Sequence, residues 1–230
     1  MLCYGFGDVS HKKVLIMTSS LHPPLNCSLC DRLKEHRDLN RDKFPGFHNA
    51  PVMPFGDDNP QLLIVGLAPG LMGANQTGRP FTGDYAGDLL YGTLLKFGLA
   101  EGTYQADPKD GLRLLKCRIT NAVKCWPPEN KPTGEEIRIC NSFLAHEITD
   151  LKQKGLLAIL CLGRIAHDSV LKALALKQKD YPFGHANAHV LENGLRLYDS
   201  YHCSRYNTNT GKLTTEMFEA VFEKMRAQSI

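Results

Sequence analysis

Eight cysteines, one glycine-rich loop and a histidine near the C-terminus carry most of the chemistry this sequence offers. Cys27 and Cys30 form a C-x-x-C in a proline-rich first third, and Cys125, in KCWPPENKP, stands fifteen positions before Cys140. Four such thiolates suit a tetrahedral zinc or, since the second pair is spread over a loop and a helix, an iron–sulfur cluster at least as well. The remaining alternative is plain reduced thiols. Cys117 and Cys161 lie in apolar runs and read as buried small hydrophobes. Cys3 is close to the terminus, and Cys203 directly follows His202.

The loop GLAPGLMGANQTGRPFTGD (66–84) follows an apolar strand, as nucleotide-binding loops do. Gly73 to Gly78 has the glycine spacing of a Walker A motif. The next residues, however, are Arg79 and Pro80 instead of the lysine and hydroxyl that would hold phosphate and magnesium. No G-x-G-x-x-G fits either, which argues against ATP and NAD. What survives is a loop that allows close backbone approach, beside Phe81, a ring that can stack on a flat ligand or fill the core.

These groups need a scaffold. At 230 residues the chain suits a single domain (1–230). Its 43% hydrophobic and 22% charged content is that of a globular protein, and no apolar run nears the roughly 20 residues of a membrane span. The N-terminus lacks the order of a secretory signal, so a cytoplasmic, nucleoid-associated protein is expected. A net charge of +3 is too mild to declare a nucleic-acid binder, and the basic stretch Arg32 to Lys43, which also carries acids, reads as a solvated loop or helix face.

Prolines break up residues 1 to 60, leaving one short helix expected near Cys30 to Arg37. Beyond Gln61, the runs 61–68 and 156–163 have the length and continuous apolarity of strands buried on both faces; 113–123 and 195–202 are weaker strands. Helical patterns cover Tyr85 to Phe97, Thr133 to Lys154, Arg164 to Leu176 and Thr215 to Arg226, the second opened by a capping box of Thr133 and Glu136. Alternating strands and helices predict an α/β fold with a mostly parallel sheet covered on both faces. Its functional loops gather at the carboxyl ends of the strands, where Gly66, Asn121 to Asn130 and HCSRYNTNTG (202–211) fall.

Taken together, GLAPG with GANQTGRPFTGD, ITNAVKCWPPENKPT, and the final H-x-S-x-x-N-x-x-TG-x-LT resemble the iron–sulfur uracil-DNA glycosylases of the family 5, or B, type, from about Cys27 to the last helix. The resemblance implies a three-layer α/β/α sandwich with a four-stranded parallel sheet. It also implies a structural [4Fe–4S] cluster on Cys27, Cys30, Cys125 and Cys140, pinning the irregular N-terminal segment. The activity it implies is excision of uracil, and of hypoxanthine, xanthine or ethenocytosine, from single- and double-stranded DNA by base flipping and hydrolysis of the glycosidic bond.

By position in those motifs, Gly66 and Ala68 would line the base pocket, Phe81 would stack on the base, Asn121 would read the pyrimidine edge and His202 would donate to the uracil oxygen that gathers charge. Ala68 stands where other families carry a carboxylate or amide, so water would be positioned by Asn75 or, second, Asp84. Tyr85 has no assigned part in excluding thymine's methyl group. Ser204 and Asn207 would meet phosphate, while Arg205 and Tyr206 would fill the gap left by the base. Many relatives have proline where this chain has Cys203, a thiol expected to be oxidation-sensitive if exposed and of depressed pKa. The implied enzyme acts as a monomer. Competing readings are a damage-binding or covalently trapping protein that does not turn over, and an enzyme acting on free nucleosides.

Overall fold

The computed structural model describes residues 21–228; Cys3 lies outside them. Among the described residues there are eight strands: β1 (Phe55–Gly56), β2 (Leu62–Gly66), β3 (Ala100–Glu101), β4 (Arg113–Leu114), β5 (Cys117–Asn121), β6 (Ala158–Leu162), β7 (Ala188–Val190) and β8 (Arg196–Ser200). Seven α-helices accompany them: α1 (Asp31–Lys43), α2 (Ala74–Thr77), α3 (Tyr85–Lys96), α4 (Gly134–Gln153), α5 (Arg164–Ala173), α6 (Arg205–Asn209) and α7 (Thr215–Ala227).

Six strands form one sheet in the order β1-β5-β2-β6-β8-β7. Its four central strands are parallel, as expected, and short antiparallel strands close both edges. The central strands are almost wholly buried because helices cover both faces, which is why they read as unbroken apolar runs. On one face α3 and α7 pack over Leu62, Ile64, Ile119 and Leu160. On the other, α4 and α5 pack over Leu63, Val65, Ile159 and Leu197. In α7 the buried positions Phe218, Val221, Phe222 and Met225 recur at helical spacing; truncating Phe218 to alanine costs about 3–5 kcal/mol.

Two boundaries differ from expectation. The helix near Cys30 runs thirteen residues, to Lys43, and takes in the basic stretch. Low intrinsic apolarity hides it, since the helix buries only Leu33, Arg37 and Asn40. The run 113–123 is split: Arg113–Leu114 pairs with β3, Lys116 turns through φ +52°, and only then does β5 begin. The capping box on α4 forms as predicted, Thr133 Oγ1 accepting from Glu136 N at 3.2 Å and Glu136 Oε2 from Thr133 N at 2.7 Å.

Candidate active site

A pocket of about 580 Å³ opens at the carboxyl ends of β2, β5 and β8. Gly66 and Asn121 are register partners there. The ladder runs on past the strands, with Ala122 N donating to Gly66 O and Val123 N to Leu67 O, both at 2.9 Å. A β-carbon on Gly66 would stand 2.5 Å from Asn121 Oδ1 and 2.6 Å from Phe81 Cζ. Glycine at 66 thus lets an amide and an aromatic ring converge.

Asn121 is buried, and its Oδ1 has no hydrogen-bond partner among the described residues. An orphaned buried acceptor costs about 1–3 kcal/mol, so an N–H donor entering the pocket recovers that free energy. Phe81 is buried with its ring 6.1 Å, centroid to centroid, from the His202 imidazole, the planes 30° apart. His202 follows β8, and burial pushes its pKa down to about 4, leaving a neutral ring at physiological pH.

Asp84 caps α3, its Oδ1 accepting from Gly87 N at 3.2 Å. Its carboxylate fills the space a side chain on Gly73 would need. Burial raises its pKa against the opposing backbone hydrogen bonds of Gly87 and Ala86. Asp84, Ala68, Ser204, Arg205 and Tyr85 all line the pocket.

Asn75, the first choice for holding water, is not brought to the pocket wall. It is buried beneath the loop, where its Nδ2 donates to Asn49 Oδ1 at 2.9 Å and its backbone carbonyl accepts from Asn49 N at 3.2 Å. It braces the loop. Asn207 likewise turns inward, its Nδ2 donating to His202 O at 2.8 Å. Ser204 caps α6 by accepting from Asn207 N. Arg205 lies over the Tyr85 ring at 5.4 Å, and Tyr206 is 74% exposed.

Cys203 does not meet the two conditions set for a reactive thiol, exposure and a depressed pKa. It is fully buried, its Sγ lies 3.5 Å from Ala86 O, and burial pushes its thiol up to about 12, the opposite of a reactive cysteine. Pocket residues that sequence reasoning missed include Asn130, whose Oδ1 accepts from Trp126 Nε1 at 2.9 Å, and the 58% exposed Met72. Asn130 closes a stretch, Asn121 to Asn130, expected among the functional loops, but its residue types give no sign of where its side chain points.

Cys27, Cys30, Cys125 and Cys140 line one small cavity between α1, the loop after β5, and α4. None is in a disulfide. Burial, then the neighbouring thiols, push Cys30 up to about 12; Cys125 is raised to about 12 by the same causes, burial first. Lys124 N donates to Cys140 Sγ at 3.4 Å, and Arg37 Nη1 stands 4.0 Å from Cys125 Sγ. Ala68 packs against this thiol cluster on one side and lines the pocket on the other.

Among the described residues, the trio whose ligand atoms all lie within 4.8 Å of one another is Cys161, His167 and Asp199, a buried group close enough to hold a metal ion. Both imidazole nitrogens are engaged there: Nδ1 with Asp199 Oδ1 at 2.7 Å and Nε2 with Tyr181 O at 2.9 Å. Burial disfavours the imidazolium, but the bond to Asp199 outweighs it and raises the pKa of His167. A cation bound to either imidazole nitrogen would have to displace the oxygen that nitrogen already meets.

Residues 53–226 match the family model of the uracil DNA glycosylase superfamily. The chain is 42% identical to a type-5 uracil-DNA glycosylase of Thermus thermophilus, over 87% of this chain and 93% of that one. It is 37% identical to a type-5 uracil-DNA glycosylase of Pyrobaculum aerophilum, over 89% and 90%. A third relative, the type-5 uracil-DNA glycosylase of Mycobacterium bovis, is 38% identical over 98% of this chain and 83% of its own. Matches of this extent, over a fold whose strand ends gather the same three motifs, place the chain in the uracil DNA glycosylase superfamily.

Proposed function

We propose that this protein is a uracil-DNA glycosylase that flips a deaminated base out of DNA and hydrolyses its glycosidic bond. The observation that carries the reading is the partnerless Asn121 Oδ1, buried beside the Phe81 ring and His202 in one pocket. Uracil's N3–H is the donor that oxygen lacks, while the amide's NH₂ suits the neighbouring carbonyl. Phe81 stacks on the base. His202, neutral, donates to the oxygen that gains charge as the bond to C1′ breaks, an interaction typically worth about 2.7–4 kcal/mol. The Asp84 oxygen not committed to Gly87 orients the attacking water, and Asn75 keeps the loop in place behind it.

With Ala68 in place of a carboxylate, the pocket sets fewer demands on the base, which supports hypoxanthine, xanthine and ethenocytosine as further substrates. Arg205 and Tyr206 meet the DNA beside the pocket. Every group assigned here comes from one chain, in keeping with a single-domain monomer.

The four thiols fit an iron–sulfur cluster. Zinc–sulfur bonds of about 2.3 Å set tetrahedral thiolates about 3.8 Å apart, and no three of these sulfurs lie within 4.8 Å of one another among the described residues. A four-iron cluster separates its ligands more widely. Cys27, Cys30, Cys125 and Cys140 would hold it, and when bound it would supply the positive charge that lets buried thiols ligate as thiolates.

The test is release of free base from an oligonucleotide carrying one uracil, single-stranded or opposite guanine, by wild type and His202→Ala. Release that falls about 100-fold or more in the variant supports the reading. Tight binding without release sinks it in favour of a damage-binding protein that does not turn over, and equal action on free deoxyuridine, indifferent to salt, favours a nucleosidase.

A further inference from the structure

We propose that Arg79 and Asp110 form a positioning pair that presets the Phe81 ring, an inference that rests on the base-excision reading above. Phe81 has a left-handed backbone, φ +52°, which a residue of its bulk seldom adopts. Something must impose that conformation, and the contacts around it are unusually dense.

Arg79 is buried, two residues before Phe81. Its guanidinium grips Asp110 bidentately, Nη1 to Oδ1 at 2.8 Å and Nη2 to Oδ2 at 2.7 Å, while Nε donates to Thr82 Oγ1 at 2.7 Å. Such a fork fixes direction as well as distance. The guanidinium carbon also lies 5.2–5.8 Å from the ring centres of Phe55, Tyr91 and Tyr104.

Asp110, thirty-one residues away in sequence, is itself held by the backbone N–H groups of Gln105 and Leu112, each at 3.0 Å. Its side chain is fully buried, and the hydrogen bond from Arg79 keeps its carboxyl well below the usual range. Two of the stacked rings then capture the strained turn: Tyr91 Oη donates to Pro80 O at 2.6 Å, and Tyr104 Oη to Phe81 O at 3.3 Å. Gly87 completes the device, since a β-carbon there would collide with the Phe81 carbonyl.

Residues 79–82 are thus gripped by groups that do not line the pocket, and of these four only Phe81 lines it. Neither Arg79 nor Asp110 lines the pocket, so the pair acts through Phe81.

The experiment compares wild type, Asp110→Asn, Tyr104→Phe, Phe81→Ala and the Phe81→Ala/Asp110→Asn double variant. It measures the single-turnover rate of uracil release and the affinity for DNA carrying a tetrahydrofuran abasic analogue, which has no base to stack. Asp110→Asn is expected to slow release about tenfold or more and to leave abasic affinity within about twofold, with no further loss on top of Phe81→Ala. Tyr104→Phe follows the same pattern more weakly and decides the matter should Asp110→Asn fail to fold.

Unchanged release, parallel loss of abasic affinity, or effects that add to Phe81→Ala would overturn the proposal. If wild type releases no uracil, the excision reading has failed by itself. The pair is then judged by whether Asp110→Asn abolishes any preference of wild type for uracil-containing over abasic DNA.

Discussion

Gly66 and Asn121 face each other as partners at the carboxyl ends of β2 and β5, so close that the side-chain oxygen of one occupies the place of a β-carbon on the other. Gly66→Ala is therefore expected to push apart the amide and the Phe81 ring while leaving the buried ladder formed. A displacement of about an ångström at a reacting centre costs about 100-fold. Uracil release should fall by that order with a circular dichroism spectrum like wild type; near-normal release would refute the convergence.

Asn121 sets function against stability. Replacing it by the similarly sized Leu removes an acceptor that nothing among the described residues satisfies. The thermal midpoint should hold or rise while excision drops about 100-fold or more. A clear fall in the midpoint would mean that the amide is braced inside the protein instead of reserved for a ligand.

His202 predicts a pH dependence of stability. Its folded pKa, near 4, lies below the ordinary 6.5, so below pH 6.5 the unfolded chain takes up a proton that the folded chain refuses. The contribution is whole above pH 6.5, is lost as pH falls toward 4 and is flat below, up to about 3 kcal/mol in all. Urea titrations between pH 4 and 7 should show a shallower slope in His202→Gln than in wild type. Equal slopes would show that the ring titrates as it does in water.

Cys203 should be inert. Native protein treated with iodoacetamide is expected to carry no label at Cys203 by peptide mass, and Cys203→Ser should excise at a rate close to wild type. Labelling of this thiol in the folded protein would contradict its burial.

Removing a thiol from the four-cysteine cavity is expected to loosen α1 before it touches the sheet. α1 buries just three residues, and its N-terminus is held at Cys30. Cys30→Ser should lower bound iron and speed proteolysis within 21–43; unchanged iron content would remove Cys30 from the ligand set.

The central sheet could be read from the sequence because continuous apolar runs and helical spacing are direct images of two-sided burial. α1 could be read only in part, since a helix that buries Arg37 and Asn40 does not announce its length through hydrophobicity. The convergence of Phe81, Asn121 and His202 followed from strand ends and motif order. Direction did not: nothing in the residue types of Asn75 or Asn207 says that one amide turns to Asn49 and the other to the His202 carbonyl. The partnership of Arg79 with Asp110 spans thirty-one residues and has no local signature, so only the folded chain reveals it.

Ala68 lines the pocket and also packs against the buried cluster that contains Cys125 and Cys140. A lineage gaining a carboxylate at this position would have to find room for it in the pocket or in that cluster, so the two are tied in their history: a change in the pocket wall and a change in the packing around Cys125 and Cys140 are, at residue 68, the same mutation.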